Sequence, residues 1–232
     1  MENFPEFTVM RYLMDPGDHV IDLGANMGFY TKYFSDCVGP TGIVYSIEPI
    51  PGTFDLLSSS VHKLGLANVH PINYAISNRT GLVEMGIPLL ESGEENIFEA
   101  KIITNNDDNW LKKVTVKTTT IDEMFPSPDE NITFIKCDVE GHEYECILSA
   151  TKLISRSKPS WFIEIWGDLN KRDSAANKTK IFFEEYGYSA YMFDGKQLKR
   201  YRSGDEDINY FFLTPEHIAR LQNQNTFSLN IS

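Results

Sequence analysis

Acidic residues fall at the ends of short apolar runs in this chain, and their neighbours decide what chemistry they could do. The first group is Val20-Ile-Asp-Leu-Gly-Ala-Asn-Met-Gly28, an acid-x-Gly-x-x-x-Gly turn between a strand and a helix. Gly24 and Gly28 let the backbone approach a ligand closely and let strand and helix pack tightly. A dinucleotide fold would carry Gly-x-Gly-x-x-Gly here, to set a pyrophosphate on the helix end. This chain has one glycine fewer and adds Asp22 at the strand tip. A carboxylate there suits an ammonium group better than a phosphate. A tight turn without a ligand is the plain alternative for the glycine spacing alone. Glu48 lies 26 residues after Asp22 and ends the second strand. A carboxylate at that tip can accept both hydroxyls of a ribose, whereas a solvated acid before Pro49 is the bland reading.

The third group is Ile135-Lys-Cys-Asp-Val-Glu-Gly-His-Glu143. Glu143 and Glu145 fall in a first helical turn, where acids offset the macrodipole. Asp138 and Glu140 need another account, because carboxylates beside an apolar strand end lose hydration. The carboxyl edge of an open parallel sheet is also where ligands bind. Glu164, inside Trp161-Phe-Ile-Glu-Ile-Trp166, is a fourth acid at such an end.

These residues need strands and turns to hold them. Short apolar runs alternate with helical patterns, the signature of a parallel sheet covered on both faces. The runs predict strands over His19–Leu23, Ile43–Ile47, Val69–Ile76, Ile132–Cys137 and Ser160–Ile165, with a further pair over Leu82–Ile87 and Val114–Thr119. Helices are predicted from Phe29 to Cys37, through Phe54, Leu57, Val61 and Leu64, from Cys146 to Ile154, and near Ile181–Tyr186. Tyr188–Phe193 and Ile208–Leu213 read as an antiparallel pair closing the sheet edge. The whole chain, 1–232, reads as one domain with a helical segment at about 3–14. The polar, acidic stretch 89–111 is long for a plain connection and reads as a lid, and the tail after Arg220 reads as frayed.

Composition bounds the partners. With 41% hydrophobic residues the chain can bury a large core. Its net charge of −12 repels phosphates and anionic headgroups, so the expectation is no nucleic acid and no membrane. Three cysteines without a Cys-x-x-Cys spacing suggest reduced thiols, and with no secretion signal the chain reads as cytoplasmic.

Taken in order, Val20–Gly28, Ser46-Ile-Glu-Pro49, Thr119-Thr-Ile-Asp-Glu123 and Ile135–Glu143 resemble the FkbM-type methyltransferases. The resemblance runs from about residue 18 to 166 and more loosely to Thr214. It implies the class I methyltransferase fold, an α/β, Rossmann-like, seven-stranded and mostly parallel sheet with its last strand antiparallel, using S-adenosylmethionine. Carried over by position, Asp22, Gly24 and Asn26 would hold the methionine part and Glu48 the ribose hydroxyls. Asn73 and Ala75 would line the adenine region, and Asp138 would face the sulfonium. Ala25, Gly28 and Pro49 complete that cofactor-binding set. The family usually has a small residue where this chain has His142. Members methylate hydroxyls of macrolides, sugars and other small molecules, so the acceptor is expected to be a small hydroxylated molecule.

A hydroxyl is a poor nucleophile until its proton is taken. Asp138, Glu140 and His142 are the catalytic candidates, with Glu164 behind them, and Glu140 and Asp138 rank above His142. The three alternate along the chain, so an extended backbone would point them to one side, and Gly141 can bend that line toward the pocket. The same oxygens and imidazole could hold a magnesium-type ion, which is not favoured. Two other readings remain: a nucleotide-binding module without catalysis, disfavoured by the retained acids, and an NAD-dependent oxidoreductase, opposed by the missing glycine.

Overall fold

The structure, a computed structural model, describes residues 4–88, 96, 100–103, 110, 112–205, 207–224 and 226–230. Helix α1 (Phe7–Met10) leads into strand β1 (His19–Leu23), helix α2 (Phe29–Val38), strand β2 (Ile43–Ile47) and helix α3 (Pro51–Lys63). Next come strands β3 (Val69–Ile72), β4 (Ala75–Ile76), β5 (Gly81–Ile87), β6 (Lys101–Ile102) and β7 (Lys112–Thr119). Helix α4 (Ile121–Met124), strand β8 (Ile132–Cys137), helices α5 (Glu143–Leu148) and α6 (Thr151–Ser157) and strand β9 (Ser160–Glu164) follow. The chain continues through helix α7 (Ala175–Glu185), strands β10 (Ser189–Phe193), β11 (Gln197–Arg200) and β12 (Asn209–Leu213), helix α8 (Pro215–Gln222) and strand β13 (Ser228–Asn230).

Among the described residues the main sheet has the order β13-β11-β10-β12-β9-β8-β1-β2-β3. Strands β3, β2, β1, β8 and β9 run parallel, and β12 is inserted antiparallel between β9 and β10. Both faces are apolar, which explains why the strands read as unbroken hydrophobic runs. Ile21, Ile135, Trp161 and Phe212 point to one core. Their chain neighbours Val20, Phe134, Phe162 and Phe211 point to the other. Because the strands are parallel, β2, β8 and β9 bring Glu48, Asp138 and Glu164 to one edge of the sheet.

The expected seven-stranded sheet is its core, but two more strands extend one edge. Asp194 Oδ1 accepts from the amides of Lys196 and Gln197, which turns β11 back onto β10. Residues past Arg220, expected to fray, instead finish α8 and return as β13, parallel to β11, with Phe227 buried against Phe193.

The run Val69–Ile76, read as one strand, is divided between two sheets. Asn73 Nδ2 donates to the carbonyls of Glu48 and Pro49, holding the chain where it leaves β3. Strand β4 then joins a second sheet of order β4-β7-β5-β6, in which β5 and β7 form the expected antiparallel pair. The helix expected from Cys146 to Ile154 also breaks, because Ser149 Oγ donates to the Cys146 carbonyl and accepts from the Ile121 amide. Most of the stretch 89–111 lies outside the described residues. Its described parts are β6, paired with β5, and residues including Trp110, whose ring packs over Gly86. Among the described residues no helix is long and apolar enough to cross a membrane.

Candidate functional site

The turn after β1 is built on glycine. Gly24 has φ of 70°, and a Cβ placed there would sit 1.8 Å from the carbonyl oxygen of Asp138. The turns leaving β1 and β8 therefore touch backbone to backbone, a contact that no other residue permits. The amides of Gly24 and Ala25 both donate to the Ile47 carbonyl at 3.0 Å, tying this turn to the end of β2 as well. Asn26 adopts the left-handed conformation with φ of 49°.

Its amide donates to Glu48 Oε2 at 3.0 Å, and the amide of Ile50 donates to Oε1 at 2.9 Å. Glu48 is 5% exposed and borders the cavity described below. Burial pushes its carboxyl up to about 7, and the two amides and Lys136 only partly offset that.

Asp22 does not reach the cavity wall. It is fully buried beneath the turn, accepts from Thr31 Oγ1 at 2.6 Å, and pairs with Lys136 at 3.7 Å. Lys136 lies 3.2 Å from Asp138 Oδ2 and also donates to the Gly24 carbonyl at 3.2 Å. Burial would lower the lysine, but the two carboxylates outweigh it and hold the ammonium above its usual range. Sequence reasoning overlooked Lys136. The available signal was a lysine inside Ile132-Thr-Phe-Ile-Lys-Cys137, a run with no reason to bury a cation.

Beyond Asp138 the backbone is not extended. Glu140 has φ of 52° and Gly141 of 90°, so alternation along a strand is not what gathers the candidate acids and imidazole. A left-handed turn does it: Asp138, Glu140 and His142 all line one cavity. The Gly141 amide donates to Glu143 Oε1 at 2.8 Å, which fixes the turn. His142 Nε2 is 2.9 Å from Ser77 Oγ, and its Nδ1 is 3.6 Å from Glu145 Oε2. Burial lowers the imidazole against the pull of Glu145.

The cavity has a volume of about 410 Å³. Gly24, Ala25, Asn26, Glu48, Pro49 and Ala75 lie on its wall, with Tyr74 beside Ala75 and Lys136 below. Met85, Ala100 and Ile102 close it from the second sheet. Gly28 and Asn73 are not on that wall: Gly28 caps α2 against Leu57, and Asn73 is the strut under Pro49. Glu164 borders a neighbouring cavity with Glu6, Asp207 and Asn209, and Phe4 and Tyr30 divide the two. Among the described residues, no three His, Cys, Asp or Glu side chains are placed to hold a metal ion.

The methyltransferase FkbM domain family matches residues 22–190. The fibrillarin-like rRNA/tRNA 2′-O-methyltransferase of Pyrobaculum aerophilum is 28% identical over 120 residues, 49% of this chain and 51% of that protein. The rRNA 2′-O-methyltransferase fibrillarin of Dictyostelium discoideum is 29% identical over 124 residues, 48% of this chain and 35% of that protein. This chain thus spans about half the length of the first curated relatives it matches. A crystal structure of methyltransferase FkbM from Methylobacillus flagellatus KT shares the fold. Its TM-score is 0.53 at 16% identity, covering 85% of this chain and 44% of that one.

The curated relatives are named for acting on RNA, which overturns the expectation of a small-molecule acceptor and no nucleic acid. A net charge is a sum over the whole surface and does not set the sign at one site. Here Lys101, Lys112, Lys113 and Lys117 are exposed on the small sheet that roofs the cavity.

Proposed function

Because the chain belongs to the methyltransferase FkbM family, we propose that it transfers the methyl group of S-adenosylmethionine to a hydroxyl oxygen. The observation that carries this reading is the Glu48 carboxylate, fastened to the amides of Asn26 and Ile50 beside the Gly24 turn. Each of its oxygens accepts one of those N–H groups, and a carboxylate oxygen offers two lone pairs. One acceptor position on each oxygen is therefore left for a ribose hydroxyl. The cavity volume falls in the ordinary range for small-molecule sites, and Ile47, Tyr74 and Ile76 supply apolar walls for a base.

Glu48 would hold the ribose, Pro49, Tyr74 and Ala75 the adenine, and the Gly24–Asn26 backbone with Asp138 the methionine part. When bound, S-adenosylmethionine supplies an electrophilic methyl on a cationic sulfur. The protein's own work is alignment and removal of a proton. Asp138 pairs with Lys136, and His142 is held against Ser77. Glu140 lies on the cavity wall, carried there by the left-handed turn after Asp138, and we assign it as the base that takes the hydroxyl proton. The acceptor group is a sugar-type hydroxyl, a class that includes the 2′-O position for which the relatives are named. Three buried free thiols, Cys37, Cys137 and Cys146, support a cytoplasmic setting.

The test is incubation with isotope-labelled S-adenosylmethionine and, in parallel, RNA transcripts and hydroxylated sugars, with products read by mass spectrometry. A labelled methyl ether supports the reading. Calorimetry in which NAD binds and S-adenosylmethionine does not would overturn it.

A further inference from the structure

Lys136 is 3% exposed, between the apolar, fully buried side chains of Ile135 and Cys137. Burying an ammonium is costly unless it is paired with good geometry, and apolar residues of similar size are often as stable. Stability alone therefore gives no reason for a cation here. Its partners do. The ammonium lies 3.2 Å from Asp138 Oδ2, 3.7 Å from Asp22 Oδ1 and 3.2 Å from the Gly24 carbonyl oxygen that it donates to. It also sits 4.8 Å over the ring of Tyr30 in the first turn of α2. Asp22, Gly24 and Asp138 belong to the end of β1, the turn that leaves it, and the segment that leaves β8. The cavity opens between those two turns. Asp22 Oδ1 has no hydrogen bond of its own and depends on this ion pair.

Resting on the methyltransferase reading, we propose that Lys136 is a positioning residue that aims Asp138 at the cationic end of the cofactor. Asp22, Asp138 and Lys136 together carry one net negative charge, and Asp138 presents it to the cavity, the sign that a sulfonium and an α-ammonium require. Without the ammonium, Asp22 and Asp138 would lie close together as unpaired like charges, a costly arrangement. Asp138 would turn away or take a proton.

The experiment is a double-mutant cycle on the equilibrium affinity for S-adenosylmethionine, measured by calorimetry on the full chain. Lys136→Met and Asp138→Asn should each weaken binding by about tenfold to a hundredfold, the range for a lost hydrogen bond to a charged group. Lys136→Met added to Asp138→Asn should cost no more than about a further twofold, because the lysine acts through the aspartate. A purely structural lysine would instead give losses that multiply, and that result would overturn the proposal. So would wild-type affinity in Lys136→Met while the wild-type protein binds the cofactor. Failure of the wild type to bind would instead remove the methyltransferase reading itself. If Lys136→Met does not fold, Asp22→Asn with Lys136→Met removes the buried carboxylate left unpaired and should show the same loss of affinity. Unfolding of that double variant too would mean that the lysine serves the fold, against the proposal.

Discussion

The amide of Asn26 donates to Oε2 of Glu48 across 3.0 Å, so the turn leaving β1 is fastened to the acid that ends β2. The left-handed conformation of Asn26 accompanies this bond, and the Ile50 amide holds the other oxygen. Two strand ends thereby share one carboxylate, held rigid at the cavity edge before any ligand arrives. Rigidity of this kind lowers the ordering cost of binding.

Glu48 makes binding depend on pH. Its folded-state value, about 7, lies above the ordinary 4.5, so the protonated form is favoured on folding. Its contribution to stability is therefore full below pH 4.5 and is lost as pH rises through about 7. Ribose hydroxyls donate to the ionised form, so cofactor affinity should rise from pH 6 to 8. Calorimetry across that range should show the rise in the wild type and a flat profile in Glu48→Gln. Glu48→Ala should weaken binding by roughly tenfold to a hundredfold at pH 8.

Gly24→Ala meets two obstacles, a left-handed φ and a backbone oxygen 1.8 Å from the new Cβ. Strain and overpacking each cost roughly 1–3 kcal/mol. Thermal melts should show a loss of that combined size, with cofactor binding impaired because the turn must move. A wild-type melting temperature would mean that the turns after β1 and β8 are not in contact.

For the base, Glu140→Gln should keep cofactor affinity while lowering turnover by about 10²–10⁴-fold. Full turnover in this variant would leave the proton to solvent.

His142→Gln tests the imidazole separately. The ring is held against Ser77 and lies 3.6 Å from Glu145, so its replacement should lower turnover by less than about tenfold if Glu140 is the base. A loss as large as that of Glu140→Gln would move the base assignment to His142.

Chain-local patterns carried much of this protein. The alternation Val20/Ile21 and Phe134/Ile135 marks strands buried on both faces, because successive side chains point to opposite sides. The spacing of Gly24 and Gly28 marks the tight turn from β1 into α2, and Glu48 the end of β2, because turn geometry and strand ends are written in a few adjacent residues. What needed the tertiary structure depends on pairing between distant segments. Asp22 and Lys136 are register neighbours on adjacent parallel strands, which makes Asp22 the buried partner of that lysine. Asn73 became a strut because the end of β2 lies beside it, and Val69–Ile76 split because two sheets meet there. The left-handed turn at Glu140 was invisible to alternation, since periodicity reports which face is buried only while the backbone stays regular. The charge of −12 likewise said nothing of the exposed lysines gathered on the second sheet, because a sum carries no positions and the fold assigns each charge its place.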